Sequence, residues 1–253
     1  LCPRLTPAPR RYSLTESHLL EFRGLAIARA DFKKTQEIFN RVMNRDHIGV
    51  VCLFEAVASG ARVVIANTHL FWDAAFRDVK LVQTGLLCEQ LERITHEFAQ
   101  YPPRPPVPGA RPAPVYADGS RIPLVLCGDF NSVAGSGVYE LLANGGVPPG
   151  HADWMGHQYG QYTADGVRHR LGLKNAYAGV ELAMTNYTPS FQGVLDYVWF
   201  GGAPLALNAV LGEVDKGYLE KVVGFPNAAF PSDHICLAAE FRVKPPRALV
   251  ADA

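Results

Sequence analysis

The segment Ile122-Pro-Leu-Val-Leu-Cys-Gly-Asp-Phe-Asn131 is an apolar run with chemistry at its end. Leu124 to Cys127, bounded by Pro123 and Gly128, has the length and composition of a buried strand. Asp129 and Asn131 follow, two positions apart. If the strand direction persists, they project to one side of a sheet rim. A carboxylate and a carboxamide there suit a metal-bound phosphate and its attacking water. Gly, Asp and Asn are equally the ordinary residues of an Asx turn that closes a strand. Taken alone, the segment fits the turn reading at least as well.

Working upstream, Ile48–Val57 and Arg62–Asn67 are β-rich runs joined by Ala58-Ser-Gly-Ala61, which predicts a hairpin. The second run delivers Asn67-Thr-His69 at its end, followed by Leu70-Phe-Trp72-Asp73. Residues 11–30 show only partial alternation and predict short strands. Residues 31–45 read as helical turns or an anchored loop. Leu87, Leu91, Ile94 and Phe98 fall on one face of a helix predicted from about Phe76 to Gln100. Seven prolines between Tyr101 and Pro114 forbid helix and ladder alike, so a solvated proline-rich insertion is expected over 102–120.

Downstream, Ser136 can cap a short helix that Asn144-Gly-Gly146 stops. Residues 147–180 are loop-rich, with Lys174–Tyr177 expected as a short helical or turn segment carrying a basic side chain. Val194–Phe200 is an apolar strand interrupted by Asp196, and Leu205–Leu211 is strand-like. Pro231-Ser-Asp233-His234 leads into an expected last strand, Ile235–Phe241. Many short strands, few helices and polar residues at strand ends predict an α+β fold of two packed, mostly antiparallel sheets flanked by helices.

Twenty-four basic and 24 acidic residues balance over 253 positions, so no global field draws in nucleic acid or a charged membrane. A polyanion must be gripped locally. Five scattered cysteines (Cys2, Cys52, Cys88, Cys127, Cys236) suggest reduced, packed thiols and a cytoplasmic or nuclear setting. No apolar run has the length of a membrane span.

Chemistry-bearing residues recur at strand ends: His69, Asp129 with Asn131, Asp196, and Asp233 with His234. Singly, each has a bland meaning, such as a hydrogen-bonded histidine or a turn. Asp196 is harder to dismiss, since a buried carboxylate is costly unless paired or metal-bound. Together they suit phosphodiester hydrolysis. Carboxylates and a carboxamide are hard oxygen ligands for Mg²⁺, and no cysteine–histidine cluster has zinc spacing. A histidine held by a carboxylate can become cationic as charge develops on phosphate.

Thr68-His-Leu70, Gly128-Asp-Phe-Asn131, Leu195-Asp-Tyr197 and Ser232-Asp-His234 match, in order, the motifs of the endonuclease/exonuclease/phosphatase superfamily with its DNase-I-like four-layer sandwich. Within it the chain most resembles the carbon-catabolite-repressor-type poly(A) deadenylases. The stretches that carry this are Asn40-Arg-Val-Met43, Asn67–Asp73, Asp78-Val-Lys-Leu-Val-Gln-Thr84, Ser136-Gly-Val-Tyr139, Thr185-Asn-Tyr-Thr188 and Phe191-Gln-Gly-Val-Leu-Asp196. The resemblance covers about 11–243 as one nuclease domain. It implies a Mg²⁺-dependent 3′-to-5′ exoribonuclease that shortens poly(A) tails and releases adenylate, with a two-ion site in the complete enzyme. It also implies single-stranded poly(A) RNA as substrate, cytoplasmic and nuclear location with no membrane, and, for the full-length protein, a scaffold subunit and a sister nuclease as partners, the leucine-rich-repeat segment that docks the scaffold having no counterpart here.

By the same resemblance, Asp129 and Asn131 hold the attacking water and the scissile phosphate, and Asp129, Asn131 and Asp233 form the metal centre. His234, oriented by Asp196, binds or protonates phosphate oxygens, and His69 contacts phosphate. Phe191 stacks on the terminal adenine, with Trp72 beside the base. Related enzymes often carry a proline where this chain has Ala74, which weakens the match at the base pocket. The family's first Asn and Glu motifs have no counterpart here, and Glu16, Glu21 and Glu37 fall in segments that align elsewhere. Leu1–Arg10 is irregular, and 244–253 is expected as a frayed tail, so the chain reads as incomplete at its N-terminal side. Two alternatives follow: a catalytically impaired module of such an enzyme, or a sister phosphodiesterase (a 2′-phosphodiesterase, a circadian-type deadenylase or a phosphoinositide phosphatase). The Asn67–Asp73 and Phe191–Asp196 stretches argue against the lipid enzyme.

Overall fold

A computed structural model describes residues 11–105 and 112–244. The expected irregular start, the middle of the proline-rich insertion and nearly all of the tail lie outside the described residues. In chain order, β1 (Tyr12–Glu21) runs through α1 (Phe22–Ala28) and the short turn α2 (Gln36–Ile38) to the hairpin β2 (Ile48–Ala56) and β3 (Arg62–His69). Then come α3 (Arg77–Ala99), β4 (Leu124–Asp129) and α4 (Gly137–Asn144). β5 (Gly146–Val147), α5 (Gln161–Ala164), β6 (Val167–Arg168) and β7 (Leu173–Asn175) lead to a tight hairpin, β8 (Asn186–Thr188) and β9 (Phe191–Gly193). The chain closes with β10 (Asp196–Gly201), β11 (Leu205–Val210), α6 (Lys216–Leu219) and β12 (Ala239–Val243).

Six strands form one mixed sheet in the order β1-β2-β3-β4-β10-β7. All pairs are antiparallel except β3 with β4. Parallel neighbours need a long crossover, and the 23-residue α3 supplies it. Val51, Leu53, Val64, Ala66, Leu124, Leu126 and Trp199 face this helix and form the main core with Leu87, Leu91, Ile94 and Phe98. The predicted helical stripe is therefore the core face. The first three turns of α3 are buried all round, from Asp78 to Cys88, a depth that periodicity alone does not convey.

Over the opposite face, the ribbon of β11 and β12 covers β4 and β10, packing Leu205 and Phe241 on Val125, Cys127, Val198 and Phe200. Among the described residues this ribbon is what stands for the second of the two expected sheets. The same face of β1 and β2 is open, with Tyr12, Leu14, Leu19, Ile48 and Val50 exposed.

Local expectations meet the structure unevenly. Residues 12–21 form one ten-residue strand rather than short pieces, and a bulge between Leu14 and Glu16 switches the side-chain parity, which is why alternation was only partial. Ser136 caps α4 by accepting from the Tyr139 amide, and Gly145 ends it in the left-handed region. Lys174 belongs to the edge strand β7, not to a helical or turn segment, and pairs with Phe200 away from the strand-end residues. Asp196 opens β10 instead of interrupting it. The last strand starts at Ala239 rather than Ile235, because Tyr187 and Ile235 amides bond across to Asp233 and Thr185 carbonyls. The four described cysteines, Cys52, Cys88, Cys127 and Cys236, are free thiols. No described helix is long and apolar enough to cross a membrane.

Candidate active site

Sheet register puts the chemistry in one row. His69, the last residue of β3, pairs with Asp129, the last of β4, and Asp129 pairs with Asp196, the first of β10. Cross-strand partners lie on one face a few ångströms apart, so three residues far apart in the chain become neighbours by strand pairing alone. Gly128 permits the close approach. At φ +151° it has backbone geometry that favours glycine, and a Cβ there would meet the Thr68 carbonyl oxygen at 1.9 Å.

Beyond Asp129 the strand ends in an Asx turn. Asp129 Oδ1 accepts the Asn131 amide at 2.8 Å, and Asn131 sits at φ +47°. The i, i+2 projection expected for a continuing strand is therefore broken, because the turn redirects the chain. Both residues nevertheless line the same cleft, so the turn and the site are one structure. Asn131 Nδ2 donates to the Leu70 carbonyl at 3.0 Å, which fixes the carboxamide and leaves Oδ1 available. The Leu70 amide donates to the Asp129 carbonyl and the Phe130 amide to the Leu195 carbonyl, both at 2.9 Å. These bonds tie the turn to both neighbouring strands.

With Oδ1 engaged, Asp129 presents Oδ2 to two imidazoles, 3.3 Å from His69 Nε2 and 3.8 Å from His234 Nε2. His234 Nδ1 lies 2.7 Å from Asp196 Oδ2. His234 arrives there through main-chain pairing, as an isolated bridge to Asn186. Thr185, fully buried, accepts the Leu195 and Asp196 amides on Oγ1 at 2.9 and 3.0 Å and so fixes where β10 begins. The neighbouring Asp233 accepts from Asn186 Nδ2 at 3.1 Å.

The electrostatics divide the labour. Burial lifts the Asp129 pKa above the ordinary carboxylate range; the Asn131 amide opposes this and the charge of Asp196 adds to it. Burial alone would lower the pKa of His234, but the hydrogen bond and charge of Asp196, with Asp129 and Asp233 behind it, outweigh that and raise it. A histidine biased toward imidazolium suits phosphate oxygens better than a cation, whose ligands must be neutral imidazole.

Ligand atoms of Asp129, Asp196 and His234 lie within 4.8 Å of one another and could hold a metal ion. This group shares Asp129 with the expected metal set of Asp129, Asn131 and Asp233, but brings in Asp196 and His234 and does not include Asp233. Two carboxylates and a free carboxamide oxygen form a hard donor set that fits a cation such as Mg²⁺, which keeps several waters and takes few protein ligands.

The row opens into a cleft of about 760 Å³. Trp72 and Phe191 stand along it, 68% and 39% exposed, so both expected base contacts face the same space as the acidic residues. All eight expected site residues (His69, Trp72, Asp129, Asn131, Phe191, Asp196, Asp233 and His234) thus gather at one end of the sheet; Asp196 sits in the row behind His234, and the others line the cleft. Thr185 and Lys80 lie in stretches that carry the family resemblance, but the sequence reading gives neither a site role. Lys80 sits seven residues before Leu87, on the core-facing stripe of α3, and a charge on that stripe was the available signal.

Residues 50–234 match the endonuclease/exonuclease/phosphatase family. The chain is 51% identical over 236 residues to the CCR4-Not complex 3′-5′-exoribonuclease subunit Ccr4 of Mycosarcoma maydis, covering 92% of this chain and 35% of that protein. It is 44% identical over 237 residues to the Ccr4 subunit of Schizosaccharomyces pombe, covering 92% and 34%. The chain therefore spans about a third of the length of these relatives. Among solved structures it resembles ANGEL2, a 2′,3′-cyclic phosphatase, in complex with adenosine-2′,3′-vanadate (TM-score 0.69, 24% identity, 92% of this chain and 68% of that one). It also resembles the human Nocturnin catalytic domain with bound sulfate (TM-score 0.55, 20% identity, 92% and 60%). At these identities the two structures speak to the fold alone.

Proposed function

The chain belongs to the endonuclease/exonuclease/phosphatase family, and from that premise we propose that it forms the nuclease site of a Mg²⁺-dependent 3′-to-5′ exoribonuclease that removes adenylate from poly(A). The observation that carries this reading is the register row His69–Asp129–Asp196, with His234 bonded to Asp196 and an exposed aromatic residue, Phe191, on the same cleft. Acid, imidazole and stacking platform lie together, as hydrolysis at a nucleotide end requires. The naming of the fungal relatives as 3′-5′-exoribonuclease subunits supports RNA as substrate and a multi-subunit complex as its setting.

In this reading, Asp129 Oδ2 orients the attacking water, since Oδ1 is committed to the turn. Asn131 Oδ1, with its amide group held by Leu70, positions the phosphate. His234, as imidazolium, donates from Nε2 to a phosphate oxygen while Asp196 holds Nδ1. His69 Nε2 stands on the other side of Asp129 and steadies charge on the same phosphate. A divalent cation held by Asp129 with Asn131, Asp196 or Asp233 would supply Lewis-acid polarisation and a more acidic bound water. Phe191 and Trp72 offer flat faces to the terminal bases, contacts worth about 1–3 kcal/mol each. Single-stranded RNA is read in this way, by stacking and base edges.

The direct experiment incubates 5′-labelled oligo(A) with the chain and Mg²⁺ and compares wild type with Asp129→Ala. Stepwise shortening by wild type alone is expected. Equal activity of the two, or a preference for duplex DNA, overturns the reading. A second reading, a module that binds RNA but turns it over poorly, is favoured by one observation: the three-residue metal group holds only two carboxylates. It predicts oligo(A) binding without Mg²⁺-dependent shortening.

A further inference from the structure

Lys80 is 4% exposed, yet it lines the catalytic cleft. Its Nζ donates to the Asn131 carbonyl at 2.7 Å, and among the described residues no carboxylate oxygen lies within 4.0 Å of it. A buried ammonium without a counter-charge is costly, and proteins keep one only when something else compensates it. The nearby carboxylates are committed elsewhere. Asp153 uses Oδ1 for Arg77 at 3.0 Å and Oδ2 for the Gly137 amide at 2.7 Å. Asp73 Oδ1 takes the Ala75 amide. Asp129 is shared between the turn and two histidines.

One proton of the ammonium supports a left-handed residue of the site, and the other two have no protein acceptor among the described residues. We propose that Lys80 is an anion-binding group of this cleft: it holds the Asn131 carbonyl with one proton and presents another to a phosphate oxygen of the bound nucleotide. The missing counter-charge is then the substrate's own, so Lys80 recognises the phosphate and at the same time keeps the Asp129–Asn131 turn in its binding shape. This rests on reading the cleft as a phosphoester site, though not on its turnover rate.

The test titrates the 253-residue chain with adenosine 5′-monophosphate and, separately, with adenosine, by calorimetry in a chelator and again with Mg²⁺. Wild type should prefer the phosphorylated ligand. Lys80→Met should lose that preference by about 10- to 100-fold, the size of a charge-assisted hydrogen bond, while adenosine binding is unchanged. Lys80→Arg should keep most of it. Lys80→Gln guards against misfolding, since its carboxamide can still donate toward Asn131 without charge; it too should lose the preference. An equal loss for both ligands would make Lys80 purely a support for the turn and overturn the inference, as would a preference retained in Lys80→Gln or absent in wild type. If wild type does not shorten oligo(A) but its phosphate preference depends on Lys80, the nuclease reading falls and this one stands. If Lys80→Gln shortens oligo(A) with unchanged KM, the reverse holds.

Discussion

His234 Nδ1 lies 2.7 Å from Asp196 Oδ2, although 38 residues separate them. The pair forms because residues 233–235 bond to 185–187 while Thr185 fixes the start of β10. The carboxylate sets which ring nitrogen carries the fixed proton and turns the other toward Asp129.

Asp196→Asn keeps the shape of the pair but loses its charge. The expected outcome is a fall in kcat of about 10- to 1,000-fold on oligo(A), with a small change in KM, because orientation and proton donation are lost while the base-stacking face is untouched. A variant within twofold of wild type would show that the pair is structural.

Arg62 is 3% exposed and closes the end of α3. It donates to the carbonyls of Phe98, Ala99, Tyr101 and Pro102 at 2.7 to 3.2 Å and to Glu55 Oε1 at 3.2 Å. Terminal helix carbonyls need such donors. Arg62→Met should lower the unfolding free energy by about 3 kcal/mol or more, since it strands buried carbonyls and a carboxylate. Arg62→Lys should recover only part, because an ammonium cannot span the same fork. Urea denaturation of the three proteins measures this.

His169 predicts how stability changes with pH. Its Nε2 contacts the Leu141 carbonyl at 2.8 Å and Nδ1 accepts the Leu171 amide at 3.2 Å, a pattern that needs the neutral ring. Burial lowers its pKa, partly opposed by the Leu141 bond and Glu92. The unfolded chain therefore binds the extra proton more readily, and stability is full above about pH 6.5 and falls as pH drops below it. His47, also lowered by burial, acts in the same direction. His234 and Asp129, whose pKa values are raised, act in the opposite direction, so the measurement is a difference: between pH 7 and pH 5 wild type should lose melting temperature relative to His169→Gln, while the variant costs stability at pH 7. An unchanged slope in the variant would remove His169 as its source.

Leu19 and Val50 are cross-strand partners on the open face of β1 and β2, 61% and 37% exposed. Tyr12, Leu14 and Ile48 are exposed on the same face, and clustered exposed apolar side chains favour association. The double substitution Leu19→Thr, Val50→Thr keeps β propensity and should reduce light scattering and hydrophobic-dye binding. Unchanged scattering would place the association surface elsewhere.

Much of this site is legible in the amino-acid sequence. The Leu124–Cys127 strand, the β2–β3 hairpin, the Ser136 cap and the stripe Leu87–Phe98 rest on propensities and periods within a dozen residues, so they read directly. His69, Asp129, Asn131, Asp196, Asp233 and His234 could be named because each sits in a short motif at a strand end, whereas Trp72 and Phe191 came only from the family resemblance. The Leu14–Glu16 bulge and the early bonding of residues 233–235 could not be read, since both depend on a partner strand.

By itself, the order of residues determined which groups exist and that they lie at strand ends, because strand ends and turns are local consequences of composition. Only the tertiary structure decided that His69, Asp129 and Asp196 share one row, that Asn131 turns left-handed under Lys80, and that this lysine has no carboxylate partner among the described residues. Register, burial and charge compensation are set by groups far away in the chain, and no local pattern encodes what those groups leave unsatisfied.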